Sequence, residues 1–345
     1  MKRIVFSCGL LAAFSVFGAP SPEAPVRREI AVSVIGLQRP EYPVAEESVE
    51  RVIEYWKRGM DREIGNRPDL IVLPECCDTL PAASADQAVK ARWTRMRGTR
   101  VLDAMRAYAN EHSCYIVYAS HRVRDDGRFA NSSFLVDRAG KVAAVYDKVF
   151  PTAGEAESGE CPVVPGTEAV VADTDFGRVG FVICFDLNFT ELMKQYAAKR
   201  PDVLVFSSMF DGDFLQRNWA RECQSYVVSS TGLSILPGRV IGPAGEELRN
   251  ENYYMPTFTA KINTNCRVLH LDFNRDKFPA VIAKYGRRVE FRNPGGVGTF
   301  TLLSHDPALP VDEVMREFGL EPFTDYMIRS RTVRETSLRR VAPGR

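Results

Sequence analysis

The chain has 345 residues, 45% of them hydrophobic and 26% charged, and its 45 basic and 44 acidic side chains leave a formal net charge of +1. This is the balance of a globular protein long enough to bury a sizeable core. It excludes the global basic field that nucleic-acid binding uses, and it directs attention to a small-molecule partner.

The chain opens with Lys2 and Arg3, the apolar run IVFSCGLLAAFSVF, then Gly18, Ala19 and a Pro-rich PSPEAP stretch. A basic start, a short apolar run and small residues at its end are the layout of a secretory signal peptide over residues 1–19, followed by a linker over 20–28. The run is shorter than the ~20 residues that span a bilayer, so no membrane association is expected after its removal. Export, to a periplasm or to the outside, makes the thiol count matter. Of eight cysteines, loss of Cys8 leaves Cys76, Cys77, Cys114, Cys161, Cys184, Cys223 and Cys266. Seven is odd, so at least one thiol is free or paired between chains. No CxxC spacing suggests a zinc ribbon or a thioredoxin-type motif, and a chain of this length needs no dense disulfide framework.

Past the linker, β-rich runs alternate with helical ones. EIAVSVIG (29–36) is a predicted strand, and residues 46–61 a helix with Val49, Ile53, Trp56 and Met60 on one face. DLIVLPE (69–75) is an apolar strand stopped by Pro74, residues 87–111 a second helix, and CYIVYAS (114–120) a buried strand. NSSFLVD and KVAAVYDK form a hairpin around Asp137-Arg138-Ala139-Gly140, and EAVVADTDFGRVGFVICFD a second one turning at Asp175-Phe176-Gly177. A helix over 189–199, a strand over 202–208 and a helix over 214–228 follow, with LSILPG, RVIGP and RVLHLDF completing the strands. Strands buried on both faces and interleaved with helices imply an α/β layered sandwich with a mixed sheet. After about residue 275 the periodicity weakens to a loop at FRNPGGVG and a short helix at VDEVMREFG, which reads as a wrapping extension over 276–345.

In such folds chemistry gathers where buried strands end. LIVLPE ends on Glu75, VAAVYDK on Lys148 and GFVIC on Cys184. Singly, each has a bland explanation: a helix-start carboxylate, a solvated lysine, a core thiol. Together they suffice for acyl transfer without histidine or metal. A thiol attacks a carbonyl or nitrile carbon as its thiolate, and a neighbouring lysine favours that form. A carboxylate takes the thiol proton and later gives it to the leaving amine. The lysine and the backbone N–H of Phe185 stabilise the oxyanion.

LPE at 73–75, YDK at 146–148 and ICFD at 183–186, in this order, resemble the nitrilase superfamily of carbon–nitrogen hydrolases over roughly residues 29–275. The resemblance implies a four-layer αββα sandwich, pairing of subunits into a homodimer or higher homo-oligomer, and no cofactor. It also implies Glu75 as general base, Lys148 as oxyanion stabiliser and Cys184 as nucleophile. A second glutamate after the lysine is Glu155, with Glu157 as the alternative. Pro165-Gly166 resembles the family's downstream Pro-Gly, Asp186 and Glu191 its structural carboxylates, and Arg221 a structural arginine, while Ser208 or Met209 lines the pocket. Phe150 stands where the family often has histidine, removing a polar contact. Phe185-Asp186 resembles the amidase branches, which favours a small amide or carbamoyl substrate over a nitrile.

A papain-like hydrolase would need a histidine base, yet His112, His121, His270 and His305 sit in no such motif, and no two have metal-ligand spacing. Cys76-Cys77 reads as packing behind Glu75 or, less simply, as a redox pair. Two further alternatives share the fold: acyl transfer to an acceptor other than water, and a binding protein without catalysis.

Overall fold

The computed structural model describes residues 28–84, 86–159, 161–233, 238–250, 254–292 and 296–341. The predicted signal segment and nearly all of the linker lie outside the described residues. The first part of the chain forms β1 (Glu29–Ile35), α1 (Ser48–Ile64), β2 (Leu70–Val72), α2 (Pro81–Ser84), α3 (Gln87–Arg97), α4 (Arg100–His112), β3 (Tyr115–Val123), β4 (Phe129–Val136), β5 (Val142–Asp147) and α5 (Ala153–Ala156). There follow β6 (Val171–Thr174), β7 (Gly177–Ile183), α6 (Thr190–Lys199), β8 (Val203–Ser208), α7 (Asp213–Cys223), β9 (Tyr226–Thr231), β10 (Arg239–Ile241), β11 (Glu247–Asn250) and β12 (Thr257–Asn263). The last part contributes β13 (Cys266–His270), α8 (Phe278–Tyr285), β14 (Val289–Arg292), β15 (Thr299–Ser304), α9 (Val311–Phe318) and α10 (Phe323–Val341).

Two six-stranded mixed sheets carry the architecture, ordered β12-β1-β2-β3-β4-β5 and β11-β10-β9-β8-β7-β6. Each has three parallel strands at its centre, β1-β2-β3 in one and β7-β8-β9 in the other, flanked by antiparallel neighbours. The period-2 alternation of strand side chains explains the layering. Leu70 and Val72 join Val179, Phe181, Ile183, Val203 and Val205 in one apolar cluster between the sheets. Ile71 and Leu73 face the other way, onto Val52, Trp56, Trp93 and Met105 of the helices. The second sheet buries Val182, Leu204 and Phe206 under Leu192, Tyr196 and Trp219 of α6 and α7. The result is the expected helix-sheet-sheet-helix sandwich.

Several expectations are corrected. The stripe of α1 is Val49, Val52, Trp56 and Met60, with Ile53 only partly buried at its edge. The 87–111 helix is two helices, broken at Gly98, whose φ of +54° continues no right-handed helix. The 214–228 helix stops at Cys223, where Gln224 turns left-handed, and Tyr226–Thr231 is a fully buried strand. A short apolar run fits strand and helix periods equally, and here its β-branched residues decide. After residue 265 the chain forms a third, antiparallel sheet, β13-β15-β14, over a cluster that includes Leu269, Val281, Phe300, Leu302 and Val314. Asn263 and Asn265 tie this layer to the sandwich through Ser304 O (2.8 Å), Leu309 O (3.0 Å) and Val311 N (2.9 Å).

Candidate active site

The carboxyl ends of β2, β5 and β7 converge at one end of the sandwich. Ser207 Oγ of β8 donates to Leu73 O (2.8 Å), which pins the end of one sheet onto the other. Beyond β2, Pro74 ends the ladder and delivers Glu75, 3% exposed, into the gap. Beyond β5 comes Lys148, 1% exposed, whose N–H still bonds Asn131 O on β4. Its fixed position depends on Gly166, which approaches so closely that a Cβ there would lie 2.1 Å from Asp147 O. Beyond β7, Cys184 takes a left-handed φ of +47° and opens the tight turn Cys184–Asn188. Asp186 braces that turn: Oδ2 accepts from Ile183 N (3.1 Å) and Tyr146 Oη (2.7 Å), and Oδ1 from Phe150 N (2.8 Å). Burial pushes Asp186 up to about 6 against those donors.

Lys148 Nζ lies 3.0 Å from Glu75 Oε1 and 2.8 Å from Glu155 Oε2. Of the two candidate glutamates, Glu155 contacts the lysine and Glu157 is exposed. Glu155 is held by a capping box at the start of α5: its Oε2 accepts from Thr152 N (2.8 Å), while its own N–H donates to Thr152 Oγ1 (3.2 Å). Asn131, which sequence reasoning missed, donates from Nδ2 to Glu75 Oε1 (2.8 Å) and Glu155 Oε1 (2.9 Å). Its only sequence signal is an Asn-Ser-Ser run inside a strand otherwise buried. Burial disfavours the Lys148 ammonium, but the two carboxylates outweigh it and hold its pKa above the usual lysine value. Burial likewise opposes ionisation of Glu155, yet Lys148 brings it down to about 2. Burial and the Glu75 carboxylate push the Cys184 thiol up to about 12, against the pull of Lys148 and the Met209 backbone N–H. The resting arrangement is therefore a protonated thiol beside a fixed ammonium and a buried carboxylate.

These groups line a cleft of about 200 Å³, together with Arg39, Cys76, Ser84, Lys90, His121, Thr152 and Met209. That is smaller than the roughly 300–1,000 Å³ of drug-sized ligand sites. Of the two expected pocket residues, Met209 lines the cleft and Ser208 does not: Ser208 is fully buried, and its hydroxyl donates to Phe210 O (2.7 Å) and accepts from Phe210 N (2.9 Å). Cys76 faces the cleft with φ +48°, while Cys77 packs behind it in the helix-side core, so the two are not a matched pair. His121, also missed, has Nδ1 at 3.4 Å from both Cys76 Sγ and Thr79 Oγ1. Burial and the nearby Lys90 charge hold it down at about 3, so it is a neutral imidazole. Phe150 replaces a polar contact by stacking on Phe189, with centroids 3.7 Å apart. Glu191 is exposed beside Thr190 and does not brace the turn; Arg221 pairs with Glu222 (2.6 Å) and lies over the Phe323 ring. Phe185 N–H belongs to the first turn after Cys184, where helical geometry leaves N–H groups without an internal acceptor. Among the described residues, none after 275 lines the cleft. Among the described residues no three His, Cys, Asp or Glu side chains converge as a metal site would require.

A family model described as carbon-nitrogen hydrolase matches residues 32–253. The human omega-amidase NIT2 is 29% identical over 135 residues, 36% of this chain and 49% of that protein. Across the curated relatives matched first, the aligned part spans between about a third and just under two thirds of the relative's length. Among solved structures, Saccharomyces cerevisiae Nit3, a member of branch 10 of the nitrilase superfamily, superposes with a TM-score of 0.56 at 19% identity, over 70% of this chain and 92% of that one. An amidase from Nesterenkonia sp. superposes with a TM-score of 0.55 at 16% identity, over 71% and 94%.

Proposed function

The chain belongs to the carbon–nitrogen hydrolase family, of the nitrilase superfamily and amidase-like, and on that premise we propose that it hydrolyses a small amide or carbamoyl compound through a thioester on Cys184. The observation that carries this reading is the buried lysine held between two carboxylates, 3.0 Å from Glu75 and 2.8 Å from Glu155, beside a thiol at a strained strand end. The Cys184 thiol, at about 12, is protonated at rest, so attack and proton loss are coupled. As Sγ bonds the carbonyl carbon, Glu75 takes the thiol proton, and the oxyanion meets Lys148 Nζ and Phe185 N–H. Collapse of the tetrahedral species breaks the C–N bond, and Glu75 returns the proton to the departing amine. Glu75 then takes a proton from a water molecule whose oxygen attacks the thioester carbon; collapse breaks the C–S bond, Glu75 returns that proton to Sγ, and the acid is released. Glu155 and Asn131 touch neither reacting atom. They position Lys148 and Glu75.

Intact-mass analysis after exposure to a panel of small amides, carbamoyl compounds, esters and nitriles tests the reading. An acyl adduct on Cys184, absent in Cys184→Ala and released by water, is the expected result. Release only in the presence of an added amine acceptor would make the protein a transferase. Absence of any adduct across the panel would sink the catalytic reading.

A further inference from the structure

We propose that Asp78 and Arg97 are positioning residues for the general base: their buried pair anchors the bulge that carries Glu75 into the gap between the sheets. The inference rests on the reading of Glu75 as the base of an amidase site. Its basis is a break in the ladder between β2 and β3. The two strands run parallel with Val72 opposite Val117, and the Leu73 N–H extends the ladder by donating to Val117 O (3.0 Å). Evenly spaced parallel bonding would next bring residue 75 to Ala119 O. That oxygen instead accepts from the N–H of Cys77 (3.1 Å). Pro74, Glu75 and Cys76 therefore stand where a regular ladder holds one residue, and the left-handed Cys76 (φ +48°) closes the loop they make. Such a bulge re-aims a side chain, here Glu75 towards Lys148 at 3.0 Å. The ladder alone does not fix how far the loop extends.

What fixes it comes from α3. Asp78, next after the resumed bond, is fully buried, and its Oδ2 lies 2.9 Å from Arg97 Nε, an ion contact and not an aligned hydrogen bond. Trp93, four residues before Arg97 and so on the same face of α3, donates from Nε1 to Asp78 O (2.8 Å). Tyr118 and Ser120 of β3 donate their hydroxyls to the two carboxylate oxygens. Arg97, 3% exposed, donates in turn to Ser120 Oγ (2.8 Å) and to His121 O. One guanidinium thus holds both the loop and the strand it departs from. His121 lies opposite Asn131, whose amide donates to Glu75 Oε1 (2.8 Å), so the same grip reaches the carboxylate from its other side. Stability alone does not explain the pair, because apolar residues of the same size commonly do as well; the best-attested use of a buried pair is to fix register.

The test uses the full-length protein carrying Asp78→Asn and Arg97→Met together, which leaves no orphaned charge in the core; thermal melting checks that it is folded. Hydrogen exchange should show loss of protection over residues 73–79. Acylation of Cys184, followed by intact mass, should slow about a hundredfold, as a misplaced base would give, at unchanged substrate affinity. The decisive arm adds Glu75→Gln. If Asp78 and Arg97 act through Glu75, the triple variant acylates within about twofold of Glu75→Gln alone, whereas a merely structural role makes the two losses multiply. Should the double variant not fold, Trp93→Phe, which removes only the donor to Asp78 O, takes its place with the same directions expected. Multiplying losses, acylation at the wild-type rate or unchanged protection over 73–79 would overturn the proposal. A wild type that forms no adduct with any compound sinks the amidase reading instead, and protection over 73–79 then decides on the anchor by itself.

Discussion

Glu155→Gln isolates the positioning role of Glu155, because it removes a charge while keeping the shape. In the wild type Oε2 accepts from Lys148 Nζ and Thr152 N, and Oε1 from Asn131 Nδ2. A glutamine that keeps its oxygen towards Lys148 turns its amide NH2 against the NH2 of Asn131. Asn131 cannot flip to repair this, because its NH2 also serves Glu75 Oε1 at 2.8 Å and its oxygen, unpartnered and buried, would then face a carboxylate. One hydrogen bond to a charged group is lost, about 1.5–3 kcal/mol. Breaking a buried ion pair outright costs about 3–5 kcal/mol, but Glu75 still partners Lys148, so the lower end applies. The expected loss is about 3 kcal/mol, which lowers Tm by roughly 6 °C at 2 °C per kcal/mol. A displaced lysine also slows acylation by about a hundredfold. The effect has a pH signature. Glu155, lowered to about 2 in the fold against 4.5 for the free group, stabilises the protein above pH ~4.5, and that contribution disappears as pH falls through ~2. The stability gap between wild type and variant should therefore close between those values in urea titrations. A Glu155→Gln protein with wild-type Tm and acylation rate, matching the control Glu157→Gln, would refute the reasoning.

Four other substitutions probe the supports of the site. Gly166→Ala places a Cβ 2.1 Å from Asp147 O, a backbone atom that cannot swing away, and should destabilise by about 3 kcal/mol or more in denaturant melts; an unchanged midpoint would show that the loop carrying Gly166 is free to retreat. His121 is held down at about 3 against 6.5 in the unfolded chain, which binds the proton that the fold rejects. Wild-type stability should thus fall by about 1.3 kcal/mol more than that of His121→Asn between pH 7 and 5.5, and parallel pH curves would contradict a buried neutral imidazole. Asp186→Ala strips acceptors from Phe150 N, Ile183 N and Tyr146 Oη, at about 1–3 kcal/mol for each buried orphan, and should unfold the Cys184 turn before the rest by hydrogen exchange. Cys76→Ala should leave adduct formation on Cys184 intact by mass spectrometry; loss of the adduct would make Cys76 part of the chemistry.

What the sequence makes legible follows from where each interaction is written. Glu75, Lys148 and Cys184 stand at the ends of apolar runs, and a polar residue closing a buried strand is a local signal. Glu155 is half legible: the run of acidic residues after Lys148 contains it, but only the Thr152 capping box selects it over Glu157. Asn131 and Lys90 are illegible for the same reason as each other. A polar residue in a strand or helix pattern is ordinarily assigned to the solvent face, and only the tertiary packing turns these two inward. Ser208 and Met209 are neighbours of opposite facing, and the alternation is lost at a strand end where Ser208 bonds its own turn. Beyond residue 265 the strands pair mostly with one another over a short cluster, so their apolar pattern is too brief to declare its period.

The two cysteines with left-handed backbones connect the fold to its chemistry. Cys76 (φ +48°) follows the carboxylate on one sheet, and Cys184 (φ +47°) follows β7 of the other. Each such residue costs about 1–2 kcal/mol relative to right-handed geometry. Neither is glycine, so the strain persists only because the surroundings over-determine it. At Cys184 those surroundings are three donors on Asp186; at Cys76 they are the bond from Cys77 N to Ala119 O (3.1 Å) and the Trp56 indole donating to Cys77 O (2.9 Å). Both turns aim a side chain across the gap between sheets, where an unstrained strand would have continued past it. The apolar cluster between the sheets supplies the stability that tolerates both, and the same cluster fixes the spacing across which Glu75 and Cys184 meet. Relieving the strain at Cys76 with glycine should therefore raise Tm while loosening the peptide that carries Glu75. A Cys76→Gly protein both more stable and slower to form the acyl adduct is the outcome this coupling requires, and one that is more stable at full acylation rate would show that the strain has no part in aiming the carboxylate.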